Sequence, residues 1–168
     1  MTSSALTASR RRLRRLRRVL RGRNLAAYLA TSRVEVTYLS NFQGEDSYLL
    51  VPVRGKAVLI TDFRYAEDAA GDCPHVRRRL RKDSLLNETA ALARRLSGPL
   101  AYNPEDLSVE VRRRLAVLLK TGARRRGARL AELPGVVADM RLCKDASEVA
   151  AIKAALRIAE RAWQQFVQ

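Results

Sequence analysis

The sequence predicts an α/β layer fold on a mixed sheet, and three observations carry that prediction. Short apolar runs bounded by turn residues alternate with segments of helical periodicity through most of the 168 residues, the pattern of a sheet covered by helices. Two early runs, 47–52 and 56–61, flank Val53, Arg54 and Gly55 as the arms of a β-hairpin, so at least one strand pair is antiparallel. Apolar residues make up 47% of the chain, enough for the core of one compact domain and too many for a disordered chain.

Taken in order, residues 1–9 are small and polar and read as a flexible tail. Over 10–21, Leu13, Leu16 and Leu20 are set among arginines, and Gly22 follows. That spacing gives a basic helix with a narrow apolar stripe, docked by the stripe and showing its arginines to solvent. Residues 24–29 form an apolar run suited to a buried strand, and 34–39 alternate weakly, as a strand or a short helical turn. After the hairpin, Tyr65, Ala66, Ala69 and Ala70 mark a helix over 63–70, stopped at Gly71. Residues 76–80 predict another strand. Asp83 and Ser84 then offer an N-cap to a helix with Leu85, Leu92 and Leu96 on one face, stopped by Gly98 and Pro99. Residues 100–102 form a short strand, Ser108 caps a helix striped by Val111, Leu115 and Leu118, and 129–133 form a last strand before Pro134 and Gly135. Finally, Asp145 and Glu148 make an acidic capping box. Beyond it Val149, Ile152, Leu156, Ala159, Trp163 and Phe166 recur at steps of three and four, a long amphipathic helix whose partner surface is expected to lie outside these residues.

The net charge of +16 is concentrated at one end. Ten of the 33 basic residues, all arginine, precede Glu35 with no acidic residue among them, which leaves 23 basic against 17 acidic residues. Nucleic acid or an anionic surface is thus a candidate partner for the first segment, not for the whole fold. No run is apolar and long enough to span a bilayer, and no apolar segment closely follows the basic cluster as a secretory signal requires. Cys73 and Cys143 lie far apart, which predicts reduced thiols and a cytoplasmic location.

The residues that could carry chemistry are few. Cys73, His75 and Cys143 lack the spacing of a zinc site, and His75 is expected on the solvent side. Asp62, Glu67 and Asp68 cluster in sequence, but adjacent helical positions diverge and no histidine joins them. There is no nucleophile elbow and no phosphate-cradling glycine loop. Asn87 opens a sequon with Thr89, a chance match where no signal peptide is read.

Two patches remain. Asp62, Arg64 and Tyr65 fall at a strand end, where Asp62 and Arg64 either fix the following turn by charged hydrogen bonds or leave Arg64 to bind a ligand carboxylate. Gln43, Gly44, Glu45, Asp46 and Ser47 form a loop, the element that most often carries function.

Tyr38, Leu39, Phe42 and Gly44, a strand at 49–51, and Thr61, Asp62, Arg64 and Tyr65 at a strand end together resemble the amino-terminal domain of the creatinase/prolidase/aminopeptidase P family of metallopeptidases. The stretch 139–148, with Arg141, Lys144 and Glu148, followed by Ile152 and Ala155, resembles the family's linker and the opening of the first helix of its catalytic domain. Glu45 and Asp46 stand where the family often has Gly or Ser, and Cys143 where it usually has Ile. The resemblance implies a ribonuclease-H-like mixed sheet of about six strands with flanking helices. It implies a non-catalytic domain over residues 10–138, with 139–168 as linker and first helix of a catalytic domain. It implies no cofactor in this chain, and two divalent ions (Mn, Co or Zn) held by Asp, Asp, His, Glu and Glu in that further domain. It also implies a homodimer, a proline-containing peptide substrate for the whole protein, and a 43–47 loop that reaches the neighbouring subunit's substrate pocket. Its first helix coincides with the arginine-rich segment, which counts against reading that segment as a cleaved presequence. The alternative is a stand-alone basic module that binds an acidic protein or nucleic acid.

Overall fold

The computed structural model describes residues 3–121 and 128–167. The chain divides into two compact units, Met1–Val137 and Ala138–Gln168. The first is built on a six-stranded sheet in the order β4-β3-β2-β1-β5-β6, formed by β1 (Ala27–Ala30), β2 (Tyr48–Pro52), β3 (Val58–Thr61), β4 (Arg77–Leu80), β5 (Leu100–Tyr102) and β6 (Leu130–Glu132). The hairpin pairs β2 antiparallel to β3, with Leu49 opposite Leu59, and β1 is antiparallel to β2. The pairs β1–β5, β3–β4 and β5–β6 are parallel. The sheet is therefore mixed, as the sequence predicts. Gly55 sits in the hairpin turn at φ 89°, a conformation that suits a residue without Cβ.

Alternation along the strands sorts the core into two faces. Ala27, Leu29, Leu50, Val58, Ile60 and Leu100 pack with Leu86, Ala90 and Ala93 of α4 (Leu85–Ala93) and with Leu115 and Leu119 of α5 (Val109–Lys120). The other face, with Leu49, Val51 and Leu59, is covered by α1 (Ser3–Gly22) and α2 (Arg33–Ser40). The stripe Leu13, Leu16 and Leu20 of α1 is buried, and full burial of each such side chain is worth about 1.5–3 kcal/mol. The edge strand β4 exposes Arg77, Arg78 and Arg79, charges that discourage pairing with a foreign strand.

Several expectations change. Residues 3–9 are helical, not a tail, because Ala8 and Ser9 are buried as α1 continues its docked face. Segment 34–39 is helix despite its β-branched residues: the Ser32 hydroxyl accepts from the Glu35 N–H, and Asn41 closes the C-terminus at φ 69° with its N–H on Thr37 O. The helix after β3 is split into a 3-10 turn (Phe63–Tyr65) and α3 (Ala66–Asp72), which runs through Gly71. Helix α4 ends at Ala93, so Leu96 packs from beyond it, and in α5 the expected stripe of Val111, Leu115 and Leu118 packs on the core with Leu119 added to it. Helix α6 (Val136–Leu142), after Pro134 and Gly135, was not anticipated.

In the second unit, α7 (Ala146–Val167) starts at the expected capping box. The Asp145 N–H donates to Glu148 Oε2 at 2.9 Å and the Glu148 N–H to Asp145 Oδ1 at 3.0 Å. None of its residues is buried. Among the described residues, no helix is long and apolar enough to cross a membrane.

Candidate functional site

The two patches singled out in the sequence meet in the fold. Once Asn41 has ended α2, the chain buries Phe42 completely and turns at Gly44. The rings of Phe42 and Tyr65 stand edge to face, with centroids 5.9 Å apart and planes at 88°. Gly44 lies against both. A Cβ there would clash with Phe42 Cζ and fall 2.8 Å from Tyr65 Cδ1. The loop thus passes where only a bare backbone fits, and the aromatic pair ties it to the end of β3.

Charges complete the tie. Asp62 Oδ1 accepts from the Arg64 backbone N–H and from Arg64 Nε, each at 2.9 Å. Asp62 Oδ2 accepts from Arg81 Nη2 at 2.9 Å, and the same Nη2 lies 2.7 Å from Asp46 Oδ2. Arg64 Nη2 stands 3.6 Å from that Asp46 oxygen. Two aspartates and two arginines so form a closed ring of alternating charge. Beside it, Arg33 pairs with Glu45 at 3.1 Å and reaches Gln43 O at 3.5 Å. Asp46 holds φ 48°, a left-handed conformation that Asp tolerates better than most residues.

The ring strengthens the charges of Asp62 and Arg64. The Arg64 backbone N–H, then its guanidinium, and also Arg81 hold the Asp62 carboxyl below the usual carboxylate range. Asp62 in turn raises the Arg64 guanidinium. Asp62 is buried, while Arg64, Gln43, Glu45 and Asp46 are exposed, and Ser47 is buried at the foot of β2. Asp62 therefore acts as a clamp. Arg64 keeps an exposed guanidinium edge, and Glu45 an exposed carboxylate, that a ligand could meet.

Arg81, Arg33 and Phe42 were not singled out as site residues from the sequence. Arg81 lay just past the 76–80 run read as a strand. The available signal was its parity with Arg79, which pairs with buried Glu88 at 2.8 Å. Phe42 stood inside the motif that carried the family likeness.

The remaining sequence candidates lie apart from this cluster. Among the described residues, no three of His, Cys, Asp and Glu gather as a metal-ligand set. Cys73 and Cys143 are free thiols. Burial, then Asp72, pushes the Cys73 thiol up to about 12, which leaves it protonated and unreactive at neutral pH. His75 is half-buried, not on the solvent side, because α1 extends far enough for Ser9 Oγ to lie 2.7 Å from His75 Nε2.

The features together define an α/β domain with helices on both faces of a mixed sheet and a clamped loop beside one edge. The chain belongs to the creatinase/prolidase N-terminal domain family, which its residues 12–143 match. Among solved structures, the N-terminal domain of cytoplasmic peptidase PepQ from Mycobacterium tuberculosis H37Rv is 27% identical, with a TM-score of 0.69 over 77% of this chain and 98% of that one. The Xaa-Pro dipeptidase from Bacillus anthracis is 22% identical, with a TM-score of 0.84 over 95% of this chain and 43% of that one. The X-Pro aminopeptidase from Thermotoga maritima MSB8 is 24% identical, with a TM-score of 0.76 over 91% and 42%. This chain thus spans less than half of those two peptidases. A comparison with curated proteins finds no match.

Proposed function

We propose that this chain is the non-catalytic amino-terminal domain of a metal-dependent Xaa-Pro peptidase of the aminopeptidase P/prolidase kind. In this reading it assembles a cytoplasmic homodimer and lends its 43–47 loop to the neighbouring subunit's substrate pocket. Residues 139–168 lead into the catalytic domain, where two Mn, Co or Zn ions would sit. The observation that carries the proposal is the clamped loop. The Asp46–Arg64–Asp62–Arg81 ring and the Phe42–Tyr65 pair hold it rigid, while Gln43, Glu45 and Arg64 remain exposed. A rigid loop that offers charged groups can recognise a ligand at low entropic cost. Glu45 can meet a peptide's free amino group, and Arg64 a carboxylate.

The chain itself should not cleave Xaa-Pro peptides when manganese or cobalt is supplied. Metal-dependent turnover by the purified chain would overturn the non-catalytic role. Reading the gene past the Gln168 codon provides the second check. A continuing frame with two Asp, one His and two Glu in family order supports the proposal, and an immediate stop codon removes it.

A further inference from the structure

The arginines of α1 do not all face open solvent. Arg10, Arg14 and Arg17 recur at the spacing of one helix face. They line a cleft of about 430 Å³ whose other wall includes Lys56 of the hairpin turn, with His75 completing the lining. Among the described residues, no acidic residue lines it. Arg17 is fixed in place: its Nε donates to Pro52 O at 3.0 Å and its Nη2 to Gly55 O at 2.7 Å. Burial, then Arg21, lowers its guanidinium from the ordinary value. Among the described residues, Arg10, Arg14 and Lys56 have no carboxylate partner. None of these groups belongs to the ring that clamps the 43–47 loop.

Four like charges lining one concave surface raise the positive potential there. The cleft's volume lies within the range of about 300–1,000 Å³ typical of small-ligand sites, and a nucleic-acid duplex is too wide to enter it. A terminal phosphate carries about −1.5 to −2 charges at pH 7, so two or more linked phosphates are needed to match four cations. The forks of Arg10 and Arg14 can meet phosphate oxygens in pairs, while Lys56 and Arg17, whose Nε and Nη2 are held by carbonyls, add positive charge. From this geometry we infer that the cleft between α1 and the β2–β3 turn binds a small polyphosphate, a ligand with two or three linked phosphate groups.

Inorganic triphosphate titrated calorimetrically into the intact 168-residue chain tests the inference. The expected result is saturable binding at one site per chain, with affinity falling steeply between about 50 and 200 mM salt. The double variant Arg10→Gln/Arg14→Gln should bind at least about tenfold more weakly, and Lys56→Gln should weaken binding on its own. The control Arg15→Gln/Arg114→Gln removes equal charge away from the cleft and should stay within about twofold. Far-UV circular dichroism of each variant establishes that the fold is kept. Three results overturn the inference: no saturable binding, equal weakening in both double variants, or orthophosphate binding as tightly as triphosphate. A single-stranded oligonucleotide that outbinds triphosphate and is unaffected by Arg10→Gln/Arg14→Gln would assign the charge to a nucleic-acid surface instead, and would also overturn it.

Discussion

At Gly44 the backbone runs between two aromatic rings, and the consequence is a steric one. The Phe42 ring is fully buried and cannot swing aside, so a Cβ at Gly44 must push the loop away from Tyr65. Gly44→Ala should lower stability by about 1–3 kcal/mol, read as a shift of the urea midpoint at unchanged slope. A midpoint equal to the parent's would mean that the rings yield freely. Asp62 makes a different prediction, because its role depends on charge. Its folded pKa lies below the ordinary 3.8, so its contribution is complete above that value. The contribution is lost as pH falls from there through the folded pKa, because the unfolded chain takes up the proton first. Asp62→Asn should therefore be less stable than the parent at pH 7, and the gap should close on acidification below about pH 3.8. Denaturation series at several pH values measure this, and a pH-independent gap would show that the carboxylate's charge is irrelevant. Sequence reasoning found Asp62, Arg64 and the loop because they lie in a short, motif-like stretch. It missed Arg81, which lies 19 residues from Asp62 and meets it only because β3 and β4 pair in parallel.

Among the elements, the two helices on the α1 face are held by polar contacts that no periodicity announces. Tyr28 of β1 donates its phenol hydrogen across both oxygens of buried Glu35 in α2, at 2.8 and 2.9 Å. Burial and the Glu35 charge push the Tyr28 phenol upward, so it stays protonated and able to donate. Tyr28→Phe should cost about 1.5–3 kcal/mol, the usual value of a hydrogen bond to a charged group. A loss below about 0.5 kcal/mol would mean that Glu35 is satisfied without the phenol. This contact, with the Ser32 and Asn41 caps, also explains why segment 34–39 is helix: local β-propensity is overridden by caps and a tertiary bond. Strands β1, β2, β3 and β5 and helices α1, α4 and α5 were legible because burial imposes a pattern on them. The start of α1 was not, since small residues such as Ala8 and Ser9 look the same in a tail and in a docked helix. Ser9 docks through its hydroxyl, which donates to Leu39 O and accepts from His75 Nε2–H. That assignment leaves His75 Nδ1 bare and buried without a partner, so a second ring proton would have no acceptor. Burial, then Arg10, lowers the His75 pKa from the ordinary 6.5. The stability linked to His75 is thus complete above pH 6.5 and declines as pH falls below it. His75→Asn should remove that decline, and an unchanged pH profile would show that another group causes it.

For the molecule as a whole, the balance of charge and exposed apolar surface should govern behaviour in solution. Val149, Ile152, Leu156, Trp163 and Phe166 form one seam of α7, and all are exposed, Phe166 to 83%. The Trp163 and Phe166 rings lie against each other, with centroids 6.2 Å apart, so the seam ends in a broad aromatic patch. Exposed apolar patches of this kind favour association, whereas a net charge of +16 opposes it through mutual repulsion. Salt separates the two effects, because it screens the repulsion and leaves the apolar attraction intact. The chain should therefore self-associate with rising concentration, and more strongly at about 0.5 M salt than at about 0.05 M. Trp163→Ser/Phe166→Ser should reduce that association with little effect on folding, since both residues are exposed and surface changes rarely exceed about 0.5 kcal/mol. Light scattering coupled to size-exclusion chromatography, across about a tenfold concentration range at both salt levels, measures this. A monomer throughout would mean that the seam does not drive association. Association that salt weakens, and that the double variant leaves unchanged, would point to the arginine-rich α1 and the acidic residues of another copy instead.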